Sequence, residues 1–216
     1  MIAILDYEAG NQTSVRRALD FLGIPAQVTA DRKLIDKADG LIFPGVGAAG
    51  QAMRHLRETG LDNLLRDWAD SGRPLLGVCL GSQIMLEYSE ENDMRTLGLL
   101  PGQTRLFDPE LTEEDGTPIA IPHMGWNSVR LEKECRLFDG IDPASEFYFV
   151  HSYYPVPDDR HVIGTSYYGM RFCTVLGREG RWATQFHVEK SGKAGLRVLK
   201  NYYDYCRERA SSASRA

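Results

Sequence analysis

The chain of 216 residues lacks any apolar run near the ~18–20 residues that a helix needs to cross a bilayer. No two of its four cysteines, Cys79, Cys135, Cys173 and Cys206, are close enough for a C-x-x-C metal or redox pair. Basic residues are not in excess: 25 Lys and Arg stand against 30 Asp and Glu, a net charge of −5. That argues against a nucleic-acid binder, which needs a basic face for phosphates, though a local patch stays open. Missing too are internal repeats, low-complexity tracts and a linker long enough to divide domains. One domain over residues 1–210 is expected, with a small polar tail, Ser211 to Ala216, that frays. The start, Met1-Ile2-Ala3-Ile4-Leu5-Asp6, has no basic n-region and reads as a first strand rather than a signal peptide. These points place the chain in the cytosol. There four cysteines need no disulfides, and Cys135, Cys173 and Cys206 read as buried, inert thiols.

What is present is ordinary globular composition, 43% hydrophobic and 25% charged, laid out in a strand–helix rhythm. Ile2–Asp6 is a short apolar run, and Asn11 can cap a helix whose Val15, Ala18, Leu19 and Leu22 share one face. Gly23 and Pro25 end it. Ala26–Thr29 and Gly40–Phe43 are the next strands. Leu61, Leu64, Leu65 and Trp68 mark a second helix, closed by Gly72, and Pro74 opens a buried strand, Leu75–Val78. The rhythm predicts an α/β fold: a mainly parallel central sheet with helices on both faces. From about Thr104 the texture changes to an antiparallel β extension. Trp126–Leu131, Glu146–Tyr154, His161–Tyr168 and Cys173–Gly177 read as strands, with a hairpin turn at Arg178-Glu179-Gly180-Arg181 before Trp182–Phe186. Leu196, Leu199, Tyr203 and Cys206 mark a final helix.

Three segments carry chemistry. Gly77-Val78-Cys79-Leu80-Gly81-Ser82-Gln83 follows a buried strand and precedes a helical pattern (Ile84, Met85, Tyr88), the arrangement of a nucleophile elbow with Cys for Ser. Such a turn is strained, and glycines two residues either side remove Cβ clashes. The thiol then sits at a helix N-terminus, where the dipole favours thiolate, and the Leu80 amide points where an oxyanion would form. The plain alternative is a tight turn with a buried cysteine. In Gln185-Phe186-His187-Val188-Glu189, extended backbone would turn His187 and Glu189 to the same side. A carboxylate beside an imidazole fixes its tautomer and supports its charge. Alone, the pair could be an exposed His and Glu after a strand. Beside a cysteine elbow it becomes a base and its orienter, since catalytic groups gather at the carboxyl ends of parallel strands. Pro44-Gly45-Val46-Gly47, also after a strand, can offer a second amide to an oxyanion. A phosphate-binding loop is its rival reading, against which stands the lack of G-x-x-x-x-G-K-[ST].

Gly-x-Cys-x-Gly-x-Gln with a later Gln-Phe-His-x-Glu resembles the class I, triad-type glutamine amidotransferases. Asp6-Tyr7, Gly10-Asn11, Ser14-Val15, Ile121-Pro122-His123-Met124-Gly125-Trp126-Asn127 and Phe147 to Tyr154 narrow the resemblance to the glutaminase subunits of imidazole glycerol phosphate synthases, from Ile2 to about Cys206. The resemblance implies that Cys79 attacks the glutamine amide, His187 moves the protons and Glu189 orients His187. It implies oxyanion donors at Leu80, Val46 and Gly47, and a glutamine site of Gly47, Gln83, Glu91, Ser152 and Tyr153. It implies docking on a (β/α)8-barrel cyclase subunit, with Asn11, Ser14, Arg17, His123, Trp126, Asn127 and Lys190 at the interface. His151 reads equally as a strand histidine satisfied by backbone. No metal or organic cofactor is needed. A partner also makes chemical sense: at neutral pH free ammonia is mostly protonated, so it must reach its acceptor without equilibrating with water.

Two positions depart from the family pattern: Val188 stands where Pro is usual and Glu8 where Gly is more usual. The first relaxes a backbone angle, and the second bears on partner contacts. Three other functions stay open: a triad glutaminase serving another synthase (anthranilate or sugar amination), a cysteine-dependent ester hydrolase, and a silent regulatory subunit. In ester hydrolases of this fold type the acid precedes the histidine, whereas here Glu189 follows it.

Overall fold

The computed structural model describes residues 1–8, 10–113 and 115–213. The first 78 residues supply β1 (Ile2–Leu5), α1 (Gln12–Phe21), β2 (Ala26–Thr29), α2 (Arg32–Ile35), β3 (Gly40–Phe43), α3 (Ala49–Thr59), α4 (Leu61–Asp70) and β4 (Leu75–Val78). β1 pairs in parallel with β2 and β3, and β3 with β4. Successive strand residues face opposite sides. Ile2 and Ile4 join a core with Val15 and Leu19 of α1, while Ala3 and Leu5 join one with Met53 and Leu56 of α3 and Leu64 and Leu65 of α4. Helices therefore cover both faces. Each fully buried leucine or isoleucine there contributes about 1.5–3 kcal/mol.

Two helices in this half have little sequence signal. α2 is a single turn, started by Asp31, whose side chain accepts from the Lys33 amide. α3 buries Ala49, Gly50, Ala52, Met53 and Leu56, and alanine and glycine make a faint apolar stripe.

The chain continues through α5 (Leu80–Ile84), β5 (Tyr88–Ser89), β6 (Met94–Arg95), β7 (Gly102–Leu106), β8 (His123–Ser128), β9 (Arg130–Leu131), β10 (Glu146–His151), β11 (Tyr153–Pro157), β12 (Val162–Tyr168), β13 (Met170–Arg178), β14 (Arg181–Thr184) and α6 (Gly192–Ala213). The main sheet runs β2-β1-β3-β4-β14-β13-β12-β9. β14 is parallel to β4, and β13, β12 and β9 add antiparallel neighbours. The hairpin at Arg178–Arg181 forms as expected and returns the chain into the parallel core. The register pairs Thr184 with Val78, so the segment after β14 emerges beside the segment after β4.

Several strands differ from the sequence reading. Trp126–Leu131 divides at Val129: β8 pairs with β10 in a separate sheet, and β9 edges the main one. Glu146–Tyr154 divides at Ser152, with β11 joining β7, β5 and β6. At Val129 the apolar positions change phase, from Met124 and Trp126 to Val129 and Leu131, whereas around Ser152 the apolar run continues on both sides and the change of partner leaves no mark. His161 ends a 3-10 turn, and its strand begins at Val162. Tyr88 is in β5 rather than on the helix after Cys79, which stops at Ile84. α6 extends through Ala213, three residues into the segment expected to fray; residues 214–216 lie outside the described residues. Among the described residues no helix is long and apolar enough to cross a membrane.

Candidate active site

Cys79 lies between β4 and α5 with φ +54° and is 5% exposed. A non-glycine residue held there carries backbone strain, a common feature of functional turns. The turn is fixed by the Cys79 amide donating to the Thr184 carbonyl at 2.8 Å and by the Ser82 hydroxyl donating to the Cys79 carbonyl at 2.7 Å. The elbow glycines allow close approach. A Cβ on Gly77 would lie 2.6 Å from the Met85 sulfur, and one on Gly81 would lie 2.1 Å from the Phe43 carbonyl oxygen.

His187 follows β14, tied by its amide to the Tyr148 carbonyl at 2.9 Å. Its Nδ1 is 2.8 Å from Glu189 Oε1, with both side chains buried. The two do not meet by strand alternation. Val188–Lys190 form a 3-10 turn that wraps Glu189 back under the ring. The missing proline is made good elsewhere. The Ser191 hydroxyl donates to the His187 carbonyl at 2.6 Å and accepts from the Tyr148 amide at 3.0 Å, and Val188 is fully buried in the core.

Burial alone would push the His187 imidazole down, but Cys79 and Glu189 outweigh it and hold it up at about 10. Burial would likewise raise the Glu189 carboxyl, but His187 and Asn11 hold it below its ordinary range. By contrast, burial pushes Cys135 up to about 11 and Cys206 up to about 12, and raises Cys173 as well. All four thiols are free and buried. The three remote ones keep the inert character expected of them.

A cleft of about 300 Å³ joins Val46, Gly47, Cys79, Leu80, Gln83, Glu91, His151, Ser152, Tyr153 and His187. It thus gathers the residues read as nucleophile, base, oxyanion loop and glutamine site. Three details differ from expectation. The Leu80 amide is not free: it donates to the Gly45 carbonyl at 3.3 Å. Glu91 Oε2 accepts from the Ala49 amide at 2.7 Å, and Asn92 Oδ1 from the Gly50 amide at 3.0 Å, so together they cap α3. Gln83 Nε2 donates to the Tyr153 carbonyl at 2.8 Å and to Gln185 Oε1 at 2.9 Å, and Gln185 Nε2 lies 3.8 Å from Cys79 Sγ. Gln185, fully buried, opens the Gln-Phe-His-x-Glu motif, but nothing in its spacing announces a contact with the sulfur.

The loop after β3 has G-x-G-x-x-G spacing, at Gly45, Gly47 and Gly50, and it leads into a helix. It is nonetheless no dinucleotide cradle. The amides that would meet a pyrophosphate at the α3 N-terminus are taken by Glu91 and Asn92.

The interface set also needs correction. Asn11 and His123 are buried, 4% and 3% exposed. Asn11 occupies the α1 cap position without a side-chain cap bond, and instead donates to Glu189 Oε1 at 3.1 Å. His123 stacks on Phe149 and Tyr168. Asn127 is half-buried. Ser14, Arg17 and Lys190 do share a surface depression with Phe21 and Leu196, and Trp126 is 54% exposed. Lys190 and Trp126 both approach the Tyr148 ring.

Glu8 has φ +62°, which explains the family's usual glycine. Left-handed backbone costs a side-chain-bearing residue roughly 1–2 kcal/mol, partly offset by glycine's freer unfolded chain. Glu8→Gly is therefore expected to stabilise by about 0.5–1 kcal/mol, read as a higher urea midpoint. An unchanged or lower midpoint would show that the side chain compensates for its backbone.

A parallel α/β sheet with a cysteine elbow and a His–Glu pair at its carboxyl end defines an enzyme class that works through a cysteine nucleophile. The chain belongs to the class-I glutamine amidotransferases, whose family model matches residues 3–204. It is 61% identical over 216 residues, all of both chains, to "Imidazole glycerol phosphate synthase subunit HisH" of Nitratidesulfovibrio vulgaris (strain DSM 19637 / Miyazaki F). The same-named subunit of Maridesulfovibrio salexigens is 58% identical over 96% of this chain and 98% of its own. That of Moorella thermoacetica is 45% identical over 95% of each. Among solved structures, PurLQS from Thermotoga maritima shares the fold, with TM-score 0.69 and 16% identity over 94% of this chain and 97% of that one.

Proposed function

We propose that the chain is the glutaminase subunit of an imidazole glycerol phosphate synthase. It hydrolyses L-glutamine to glutamate and ammonia and passes the ammonia to a (β/α)8-barrel cyclase subunit in histidine biosynthesis. The observation that carries the reading is one cleft lined by Cys79, His187 and the expected glutamine-site residues, in a chain 58–61% identical to subunits of that name. His187, beside the sulfur in the same cleft, takes the Cys79 thiol proton as general base. The sulfur attacks the side-chain amide carbon. His187 gives its proton to the departing amine, and ammonia leaves a γ-glutamyl thioester. His187 then takes a proton from the water that hydrolyses it, while Glu189 keeps the ring oriented. The reading takes residues 1–210 as one amidotransferase domain in the cytosol, a compartment that suits four free thiols.

The engaged Leu80 amide adds a condition. One oxyanion donor is worth roughly 10²–10³ in rate, and Leu80 can serve only when the Gly45 carbonyl releases it. The purified chain alone is expected to hydrolyse glutamine slowly, rising at least about a hundredfold with the cyclase and its acceptor substrate present. An anthranilate-type synthase should give no rise. Glutamine turnover indifferent to the cyclase, or ester turnover without glutamine turnover, would overturn the assignment.

A further inference from the structure

Two buried histidines outside the triad, His123 and His151, belong to a hydrogen-bond chain whose direction can be worked out from either end. At one end Asn127 Nδ2 donates to the Tyr167 carbonyl at 2.9 Å and lies 3.3 Å from His123 Nε2. A carbonyl only accepts, so the amide nitrogen of Asn127 is the donor and His123 Nε2 must accept. A neutral His123 then carries its proton on Nδ1, which lies 3.1 Å from His151 Nε2. That nitrogen must accept, so the His151 proton is on Nδ1. It points at the Tyr153 carbonyl, 2.8 Å away. Working back from the Tyr153 carbonyl gives the same two tautomers. Charging either ring would set two donors against each other. The aromatic walls disfavour charge as well: Phe149 and Tyr168 stack on His123, and Phe107 and Phe172 flank His151. Burial pushes His123 down to about 4; burial, then neighbouring His123, pushes His151 down to about 3.

The chain does not stop at Tyr153. Its carbonyl also accepts from Gln83, which holds Gln185 against the Cys79 sulfur. At its outer end, His123 and Asn127 lie on β8 with Met124 and Trp126, whose side chains are 62% and 54% exposed. We propose that Asn127, His123 and His151 form a one-directional, uncharged relay by which the exposed β8 strand positions the Tyr153 carbonyl and Gln83 in the cleft. His123 and His151 are positioning residues. The reading rests on the glutaminase assignment for its kinetic consequence, but not for its proton arrangement.

Asn127→Asp and Asn127→Ala separate a relay from simple packing. Alanine removes the outer donor and leaves the tautomers free to persist. Aspartate only accepts, so it demands a proton on His123 Nε2 and sets the relay against the Tyr153 carbonyl. Isotope-resolved NMR of the imidazole nitrogens in the full chain at neutral pH should find both rings neutral and protonated on Nδ1. Asn127→Asp should add a proton to His123 Nε2 and shift the His151 resonances, and Asn127→Ala should leave His151 as it was. With saturating cyclase, Asn127→Asp should raise the glutamine KM about tenfold over Asn127→Ala, the size of one opposed hydrogen bond. An Nε2-protonated ring in the unmodified chain, or identical His151 resonances in the two variants, overturns the relay. Loss of glutamine turnover in the unmodified chain would instead strike the functional assignment, with the NMR result still deciding the relay.

Discussion

Replacing Cys79 with alanine should abolish glutamine-dependent synthesis by the assembled enzyme, a loss of at least about 10³-fold, while synthesis from added ammonia continues. The size follows from what is removed. Without the sulfur no thioester forms, and His187, Glu189 and the oxyanion amides have only water to direct at an unactivated amide. Losing one member of a set that acts as a unit costs nearly as much as losing them all. The fold should survive. Alanine keeps the Cβ at the same positive φ, and the bonds that hold the elbow run through the Cys79 backbone and the Ser82 hydroxyl. What goes is the acceptor for Gln185 Nε2 at 3.8 Å, already a long contact. Added ammonia bypasses the cleft altogether, so its use reports on the cyclase and on docking. A variant that still hydrolyses glutamine at the normal rate beside its partner would remove Cys79 from the chemistry. One that loses the ammonia-dependent reaction too would point to failed assembly.

The sequence exposes the catalytic pieces because each depends on local pattern. Gly77 and Gly81 flank Cys79 because Met85 crowds the first position and the Phe43 backbone the second, and that need is written as Gly-x-Cys-x-Gly. The parallel half is equally plain, since β1, β3 and β4 are short apolar runs buried on both faces. What stays hidden depends on contacts distant in sequence. Asn11 looks like a helix cap, yet its side chain crosses 178 positions to reach Glu189. Glu91, which lines the cleft, also caps a helix 42 positions earlier, a contact that nothing in its neighbourhood announces. His123 and Asn11 carry the polar character of surface residues and are buried. The split at Ser152 escapes notice because hydrophobic patterning reports which face is covered, not which strand pairs.

Those hidden contacts share one consequence. The groups that orient the triad come from both ends of the chain, Asn11 on one side and Tyr148, Gln185 and Ser191 on the other. Forming the site therefore requires β14 to have paired with β4, which brings residues beyond 180 against those near 78. The catalytic geometry is a product of the whole sheet, and a defect in β3 or β4 should appear in stability before it appears in kinetics.

Gly81→Ala is the substitution that should show this most strongly. The added carbon would lie 2.1 Å from the Phe43 carbonyl oxygen and 3.2 Å from its carbon, both backbone atoms. No rotamer relieves such a contact. Phe43 ends β3, whose register with β4 places it opposite Gly77, so moving its carbonyl disturbs the strand pair that carries Cys79. Overpacking a core usually costs about 1–3 kcal/mol when side chains can shift, and a clash with fixed backbone should exceed the upper end. At about 2–4 °C per kcal/mol for a chain of this size, the thermal midpoint should fall by at least about 6 °C, or folded protein should be lost. Gly47→Ala is the matched comparison. It too sits at positive φ, +86°, but its new carbon would meet nothing within 4 Å. It should cost only the backbone strain, roughly 1–2 kcal/mol. If Gly81→Ala melts no lower than Gly47→Ala, the close packing of the elbow against β3 is not what its second glycine protects.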